Sequence, residues 1–133
     1  MLAELRAAHE ALLAGIQELE DATHAAAPDA SALAAIRWRL SRASSRRRRL
    51  VDEASARLRE GNAPEVVAEI DRLRENSAEM LSSSSRHVGG WTIDRVVADW
   101  DGYRAASTAM RASMRRRIER EKAILYPLLE AMR

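Results

Sequence analysis

Two side chains of opposite charge lie four residues apart near the end of the chain, within MRRRIEREKAILYPL at residues 114–128. Residues at positions i and i+4 of an α-helix share one face, so Arg117 and Glu121 would lie side by side. The same face carries apolar residues at helical spacing, namely Met110, Met114, Ile124 and Leu128. Charges on a buried face persist only when they are paired and hydrogen-bonded. The spacing therefore indicates that this pair of charges meets a partner within the folded chain.

His9 and Arg47 are two further polar residues at positions that helical spacing assigns to a core. His9 falls in the apolar series Leu2, Leu5, Leu12, Ile16 and Leu19. Arg47 falls in the series Leu33, Ile36, Leu40, Ser44, Val51, Ala54 and Leu58. The second and the last helical segments share one layout, in which Arg47 corresponds to Arg117 and Val51 to Glu121. This repeat indicates a helical hairpin that occurs twice along the chain.

Four helical segments account for the apolar periodicity, and no segment alternates apolar and polar residues with a period of two. They cover residues 2–24, 30–60, 64–84 and 92 to about 132, and they are separated by Pro28, by Gly61-Asn62 and by SSSSRHVGGW at 82–91. His87 is then interpreted as a plain loop residue rather than a lone ligand or a pH-sensitive group. Short connections between four helices predict an all-α, up-down-up-down four-helix bundle that forms one domain over residues 1–133.

The last segment is longer than its neighbours and is expected to be interrupted. Asp101-Gly102 is the candidate kink, because glycine costs about 1 kcal/mol in a helix interior. Residues 92–101 are therefore predicted to form a separate short helix or to overhang the bundle. An overhang with the exposed apolar side chains of Trp91, Ile93, Val97 and Trp100 would need cover, for which a second copy of the chain is a candidate.

Composition excludes several classes of function. The chain has no cysteine, which removes disulfides, thiolate catalysis and thiolate zinc sites. Its 22 basic and 20 acidic residues are interspersed, and aromatic residues make up 4%, which disfavours nucleic acid as a partner. No apolar run is long enough to span a membrane and the N-terminus lacks a signal-peptide layout, so a cytoplasmic location is expected. No spacing of serine, histidine and carboxylate suggests a catalytic triad, so an enzyme is not predicted.

An arginine-rich stretch in the second segment is a candidate interaction surface. Residues 37–49 contain seven arginines and no acid. Four of them lie on one helical face: Arg39, Arg42, Arg46 and Arg49. Such a face could bind phosphates or an acidic partner, although a solvated outer face is the more common explanation.

The end of the chain, Glu121-Lys122-Ala123-Ile124-Leu125-Tyr126-Pro127-Leu128, resembles the end of a hemerythrin-like domain, also called the HHE cation-binding family. In that family the pattern is His-x3-Glu-Glu followed by an apolar residue, an aromatic residue, proline and leucine. The stretch Leu5-x3-His9-Glu10 likewise resembles the segment that carries the first family histidine. The resemblance covers essentially the whole chain and implies a four-helix bundle whose inward His and carboxylate side chains bind a di-iron or similar centre.

The family's metal ligands carry over only in part. His9 and Glu121 stand at ligand positions, whereas the resemblance places Arg47, Ser77 and Arg117 where the family has histidines and Val51 where it has a carboxylate. Arginine stays protonated and has no lone pair for a metal ion. The resemblance therefore predicts a bundle without metal or other cofactor, in which His9, Arg47, Ser77, Arg117 and Glu121 form a buried polar cluster.

These observations favour a non-enzymatic hemerythrin-like bundle that acts as a regulatory or protein-interaction module in signalling or stress response. Its partner would be a protein of unknown identity, with a homodimer as one form of assembly. Two alternatives stay open. One is a metal- or oxygen-binding protein with an unusual ligand set, such as His9, Glu121 and solvent. The other is a module that binds a small anion between Arg47 and Arg117.

Overall fold

The computed structural model describes residues 1–132, apart from the side chain of Ser77. Over these residues the chain is all-helical and contains no strand, which confirms the predicted fold class. The five helices are α1 (Leu2–Thr23), α2 (Ala30–Arg59), α3 (Pro64–Gly90), α4 (Ile93–Ala98) and α5 (Trp100–Ala131). Within the described range, no helix is long and apolar enough to cross a membrane.

Local capping explains where the first connections fall. At the start of α2, the Asp29 side chain accepts a hydrogen bond from the backbone N–H of Ala32 at 3.1 Å. Pro64 occupies the first turn of α3, where its missing N–H has no consequence. Gly61 has a φ of 83°, a backbone conformation that glycine adopts without steric cost. The observed ends of α1 and α2 therefore lie within one residue of the predicted ends.

The predicted break at residues 82–91 is wrong, because α3 continues to Gly90. The serines remain helical, and the two glycines fall in the last turn, where flexible residues cost little. Arg37 of α2 donates a hydrogen bond to the carbonyl of Val88 at 3.3 Å, which ties this last part of α3 to its neighbour. His87 is consequently a helical residue that faces the interior, and its interpretation as a loop residue is wrong.

A separate short helix does precede the last long helix, as predicted. The break falls at Asp99 rather than at Asp101-Gly102, because the Asp99 side chain caps α5 by accepting a hydrogen bond from the backbone N–H of Gly102 at 3.0 Å. A side chain at Gly102 would collide with this carboxylate. Trp100 is buried and donates its indole N–H to the carbonyl of Ala25 at 3.0 Å. The chain therefore covers Trp100 by itself, without a second copy.

The apolar core consists of two clusters separated by a polar level. The first cluster joins α1, α2, α4 and α5 and includes Leu12, Ile16, Leu33, Leu40, Val96, Tyr103, Met114 and Ile118. The second joins α1, α2, α3 and α5 and includes Leu2, Leu5, Val51, Leu58, Ile70, Leu73, Leu125 and Leu129. Near the end of α5 the buried residues are Leu125 and Leu129, one position later than the predicted Ile124 and Leu128, which are only partly buried.

Ion pairs show the direction in which neighbouring helices run. Glu18 of α1 pairs with Arg39 of α2, and Asp71 of α3 pairs with Arg59 of α2. Glu20, near the end of α1, accepts a hydrogen bond at 3.0 Å from Arg111 of α5. The sequence pattern did not predict that Arg111 is buried. Each of these pairs joins the late part of one helix to the earlier part of another, so α1 runs antiparallel to α2 and to α5, and α2 runs antiparallel to α3.

Candidate functional site

Glu121 occupies the centre of the polar level between the two apolar clusters. Its side chain has 0% exposure, and both of its carboxylate oxygens have partners. Oε1 lies 2.9 Å from Nε2 of His9, and Oε2 accepts a hydrogen bond from Nη1 of Arg47 at 2.8 Å. Helices α1, α2 and α5 each contribute one of these residues because each places a polar residue in its apolar series.

His9 extends this cluster toward the surface. Its other ring nitrogen, Nδ1, lies 2.6 Å from the hydroxyl of Tyr126 on α5. An ionised carboxylate only accepts hydrogen bonds, so Nε2 of His9 carries the proton that is donated to Glu121. In the neutral imidazole Nδ1 then accepts a hydrogen bond from Tyr126. Burial raises the pKa of Tyr126, which keeps this hydroxyl protonated. Tyr126, Glu121, His9 and Arg47 together form what we call the Glu121 cluster.

Arg47 is held in this cluster despite the cost of burying its charge. Its side chain is 2% exposed. Burial lowers the pKa of its guanidinium, and the adjacent Glu121 carboxylate opposes that shift. A buried charge is tolerated when an ion of opposite sign and hydrogen bonds accompany it. Arg47 therefore stabilises the ionised form of Glu121, and the pair fills the middle of the helical core.

Arg117 lies nearby but is not satisfied in the same way. It is 6% exposed, and it forms no hydrogen bond or ion pair with another described side chain, while its Nε is buried and unpartnered. Burial first, and then repulsion from Arg47, lower the pKa of Arg117 to about 10. The guanidinium is still protonated at pH 7. Arg117 is thus a buried cation whose hydrogen-bond donors are not used by any other side chain that the structure describes.

The residues present do not fit a metal centre. Among the described residues, no group of three or more His, Asp and Glu side chains converges as a metal site. Glu121 already uses both oxygens, and its neighbour Arg47 offers only donors and a positive charge. Val51 is part of the apolar core. Ser77, which the resemblance places at a further ligand position, lies outside the described side chains.

Two adjoining cavities lie between α2, α3 and α5, beside Arg117. The larger has a volume of about 480 Å³ and the smaller about 330 Å³. They share Ser84, His87, Met110 and Met114 as lining residues, so they form two chambers of one site. Arg37 and Arg48 line the larger chamber and Arg117 lines the smaller one. We call this site the arginine cavity.

The arginine cavity also contains polar groups with no partner. His87 Nε2 and the Tyr103 hydroxyl are buried, and neither meets the geometry of a hydrogen bond with a described group, although the Ser107 hydroxyl lies near that of Tyr103. Burial lowers the pKa of His87, and the nearby Arg37 lowers it further, so the ring is neutral at pH 7. Burial raises the pKa of Tyr103. Sequence reasoning missed this part of the site, although the alternation of serines with Met110 and Met114 on facing helices is a weak signal for it.

The arginine-rich face of α2 lies on the outside of the molecule. Its four predicted members are all exposed: Arg39, Arg42, Arg46 and Arg49. Arg39 pairs with Glu18, and Arg42 stacks over the ring of Trp38 with its guanidinium carbon 4.8 Å from the ring centroid. Trp38 is 61% exposed, the largest exposed fraction among the large apolar side chains of the described chain. Arg46 and Arg49 have no carboxylate within ion-pair distance in the part of the chain that the structure describes.

Comparison with known proteins yields no relative. No protein-family model matches the chain, no curated protein matches it, and no solved structure matches it. The resemblance to hemerythrin-like domains therefore depends on the residues quoted above, and function has to be argued from the site.

Proposed function

We propose that this chain is a non-enzymatic interaction module built on an up-down-up-down, hemerythrin-like four-helix bundle. In this proposal the Glu121 cluster takes the place of a metal centre and holds the bundle together. The observation that carries the proposal is that both oxygens of Glu121 are engaged, one by His9 and one by Arg47, at 0% exposure. A carboxylate in this state is not available to a metal ion or to a substrate, so the bundle centre has a structural role.

Antiparallel packing of the neighbouring helices supports the proposed bundle. The late part of α1 contacts the early part of α2 and of α5, and the early part of α3 contacts the late part of α2. The short helix α4 is an addition to the four long helices. Helices α1, α2 and α5 contribute residues to both apolar clusters, and α3 contributes to the second cluster.

The outer face of α2 is the surface that we assign to a partner. Trp38 and the stacked Arg42 combine an exposed aromatic ring with positive charge, and Arg46 and Arg49 extend the positive charge along the helix. Tryptophan and arginine are the residues most enriched among the strongest contributors to protein interfaces. The partner that fits this face is an acidic protein segment, and signalling or stress response is the setting in which we place it.

Binding to an acidic peptide tests this assignment. A fluorescent glutamate-rich peptide should bind the protein, and affinity should fall as the salt concentration rises. Substitution of Arg46 and Arg49 by glutamate should weaken binding at least tenfold, whereas Arg116→Glu, at an exposed position on α5, is the matched control. Equal binding by the double variant would contradict the assignment. Tighter binding of a DNA duplex than of the peptide would replace the acidic protein by nucleic acid.

Elemental analysis tests the structural role of the Glu121 cluster. Protein purified without chelators should contain no stoichiometric iron, manganese or zinc. About two metal ions per chain would favour the alternative function, a metal- or oxygen-binding protein with an unusual ligand set, and would overturn the proposal. Visible absorption measured on the same sample would distinguish an oxygen-binding iron centre from a colourless metal.

A further inference from the structure

The arginine cavity has the size of a ligand site. Its two chambers, about 480 and 330 Å³, lie within the usual range for small-molecule pockets. Helices α2, α3 and α5 form its walls, so its shape is set by packed helices rather than by loops. The site is separate from the outer face of α2, where we place the protein partner.

The walls of the cavity combine positive charge with apolar surface. Three arginines line the two chambers, and the described lining residues include no carboxylate. Arg48 adds to the positive potential at Arg117, and Arg37 adds to that at His87. Leu40, Met110 and Met114 supply apolar surface between these charges. A cavity of this kind favours an occupant that is negatively charged at one point and apolar elsewhere.

Unused hydrogen-bonding groups point to the same kind of occupant. Tyr103 is fully buried, yet its hydroxyl lacks a partner among the described residues, and so does Nε2 of His87. Buried polar groups in folded proteins nearly always have a partner, in the protein or in a bound molecule. The serine hydroxyls of Ser41, Ser44, Ser84 and Ser85 line the same chamber and can donate to an oxygen anion.

Arg117 is the strongest indication of a missing anion. A guanidinium offers five N–H donors in a planar fork that matches a carboxylate or a phosphate. Arg117 is 6% exposed and its donors are not used by any described side chain, whereas Arg47 on α2 donates one hydrogen bond to Glu121 and has a buried Nε without a described partner. An anionic group in the smaller chamber would supply the opposite charge and the acceptors that Arg117 lacks.

We propose that the arginine cavity binds a small organic anion, with a carboxylate or phosphate group paired to Arg117 and an apolar body packed against Met110 and Met114. Arg37 and Arg48 increase the attraction for the anion from the larger chamber, and His87 and Tyr103 provide neutral hydrogen-bonding groups. The bound anion would act as an effector of the module. The site differs from an anion site between Arg47 and Arg117, because Arg47 is already occupied by Glu121.

Calorimetry with simple probes tests this site. Benzoate and phenyl phosphate represent the two acid groups on the same apolar body, and benzamide is the uncharged counterpart of benzoate. At least one of the two anions should bind and raise the melting temperature, and benzamide should not. Inorganic phosphate should bind more weakly than phenyl phosphate, because it lacks the apolar body that the methionines contact.

Variants of single arginines locate the bound anion. Arg117→Met should weaken binding of the preferred probe at least tenfold, because it removes the charged donors that pair with the acid group. Arg37→Met should weaken it less, Arg117→Lys should restore part of it, and Arg116→Met is the matched control without effect. Changes in the NMR signals of the His87 ring should accompany binding.

Three outcomes would overturn the proposal. The first is no binding of either anion, which would leave a cavity that holds water only. The second is equal affinity in the wild type and in Arg117→Met. The third is equal affinity for benzamide and benzoate, because binding that does not depend on the carboxylate charge would not depend on the arginines.

Discussion

The Glu121 cluster and the arginine cavity lie side by side, and each contains one of two equivalent arginines. One arginine is paired with a carboxylate and the other is not. Arg47 and Arg117 occupy matching positions in the two halves of the repeat, and both side chains are almost fully buried. Arg47 has the carboxylate of Glu121 at 2.8 Å, whereas Arg117 has no described partner. We call the cluster the closed region, because both oxygens of Glu121 are engaged within it, and the cavity the open region, because its described lining includes arginines and no carboxylate.

This difference teaches how the same residue type serves stability in one place and binding in another. A buried cation that is paired within the fold holds helices together. A buried cation that is not paired lowers stability, and proteins tolerate such a loss mainly at sites where function needs it. We therefore expect variants of the cluster to lose stability and variants of the cavity to gain stability while they lose ligand binding.

Glu121→Ala should produce the largest change. It leaves Arg47 and His9 without their shared partner in a dry environment, at a cost of about 3–5 kcal/mol in the free energy of unfolding. Urea unfolding followed by circular dichroism measures this loss. Glu119→Ala, at an exposed position two residues earlier, is the control and should stay close to wild type. A Glu121→Ala variant that unfolds at the wild-type urea concentration would contradict a closed cluster.

Arg117→Met should act in the opposite direction and raise the free energy of unfolding. Burial and repulsion from Arg47 lower the pKa of Arg117 to about 10 in the folded protein, so keeping this side chain charged there costs stability. Above pH 10 the folded chain releases a proton that the unfolded chain still holds, so this penalty is complete below pH 10 and shrinks above it.

The free energy of unfolding of Arg117→Met should therefore exceed that of the wild type by the largest amount near neutral pH. Urea unfolding at pH 7 and at pH 10.5 measures the gain, which should be smaller at the higher pH. Arg116→Met, which removes an exposed arginine next in the chain, should change stability little at either pH. A loss of stability in Arg117→Met would show that Arg117 belongs to the closed cluster.

Much of the cluster was predictable from the sequence, since apolar residues at spacings of three and four indicate which helix face is buried. His9, Arg47 and Glu121 each interrupt such a series, and the helices bring them together. The sequence does not show which arginine binds Glu121, because Arg47 and Arg117 occupy equivalent positions in the repeat. Only the packed structure shows that Glu121 faces Arg47.

The arginine cavity could not be predicted from the sequence, because it depends on the last part of α3. The sequence pattern predicts that this helix ends near residue 84, before the residues that line the cavity. Serines and glycines at residues 82–90 indicate a loop, whereas packing against α2 keeps them helical to Gly90. That extension brings His87 next to Tyr103, with ring centroids 6.0 Å apart. An overhang with Trp91, Ile93, Val97 and Trp100 was expected to need cover, yet Trp91 lies against Tyr103 of the same chain.

Tyr126 and Tyr103, the two tyrosines of the chain, offer a smaller test of the same difference. Tyr126→Phe removes the hydrogen bond to His9, so it should lower the free energy of unfolding by about 1 kcal/mol. Tyr103→Phe removes a hydroxyl without a partner, so it should be neutral or slightly stabilising. Each variant is the control for the other in parallel urea unfolding. A larger loss in Tyr103→Phe than in Tyr126→Phe would reverse our assignment of the closed and the open region.

His87 gives the smallest expected effect, a dependence of stability on mildly acidic pH. Its ring faces Arg37 of α2 and, across the cavity, Arg117 and Tyr103 of α5. Burial and Arg37 lower the pKa of His87 below its usual 6.5, so the unfolded chain takes up a proton at a higher pH than the folded chain. Stability should therefore decrease as the pH falls from 6.5 to 5, and His87→Gln should flatten this decrease.

His24→Gln, at an exposed position at the end of α1, is the control and should keep the wild-type slope. The bound anion should also reduce the slope, because a negative charge beside His87 favours its protonated form and raises its pKa in the folded protein. Urea unfolding between pH 5 and 7, with and without the preferred probe, measures both effects. An unchanged slope in His87→Gln would mean that His87 does not lie in a desolvated, positively charged cavity. Tyr103 would then be the one neutral hydrogen-bonding group that we assign to the arginine cavity.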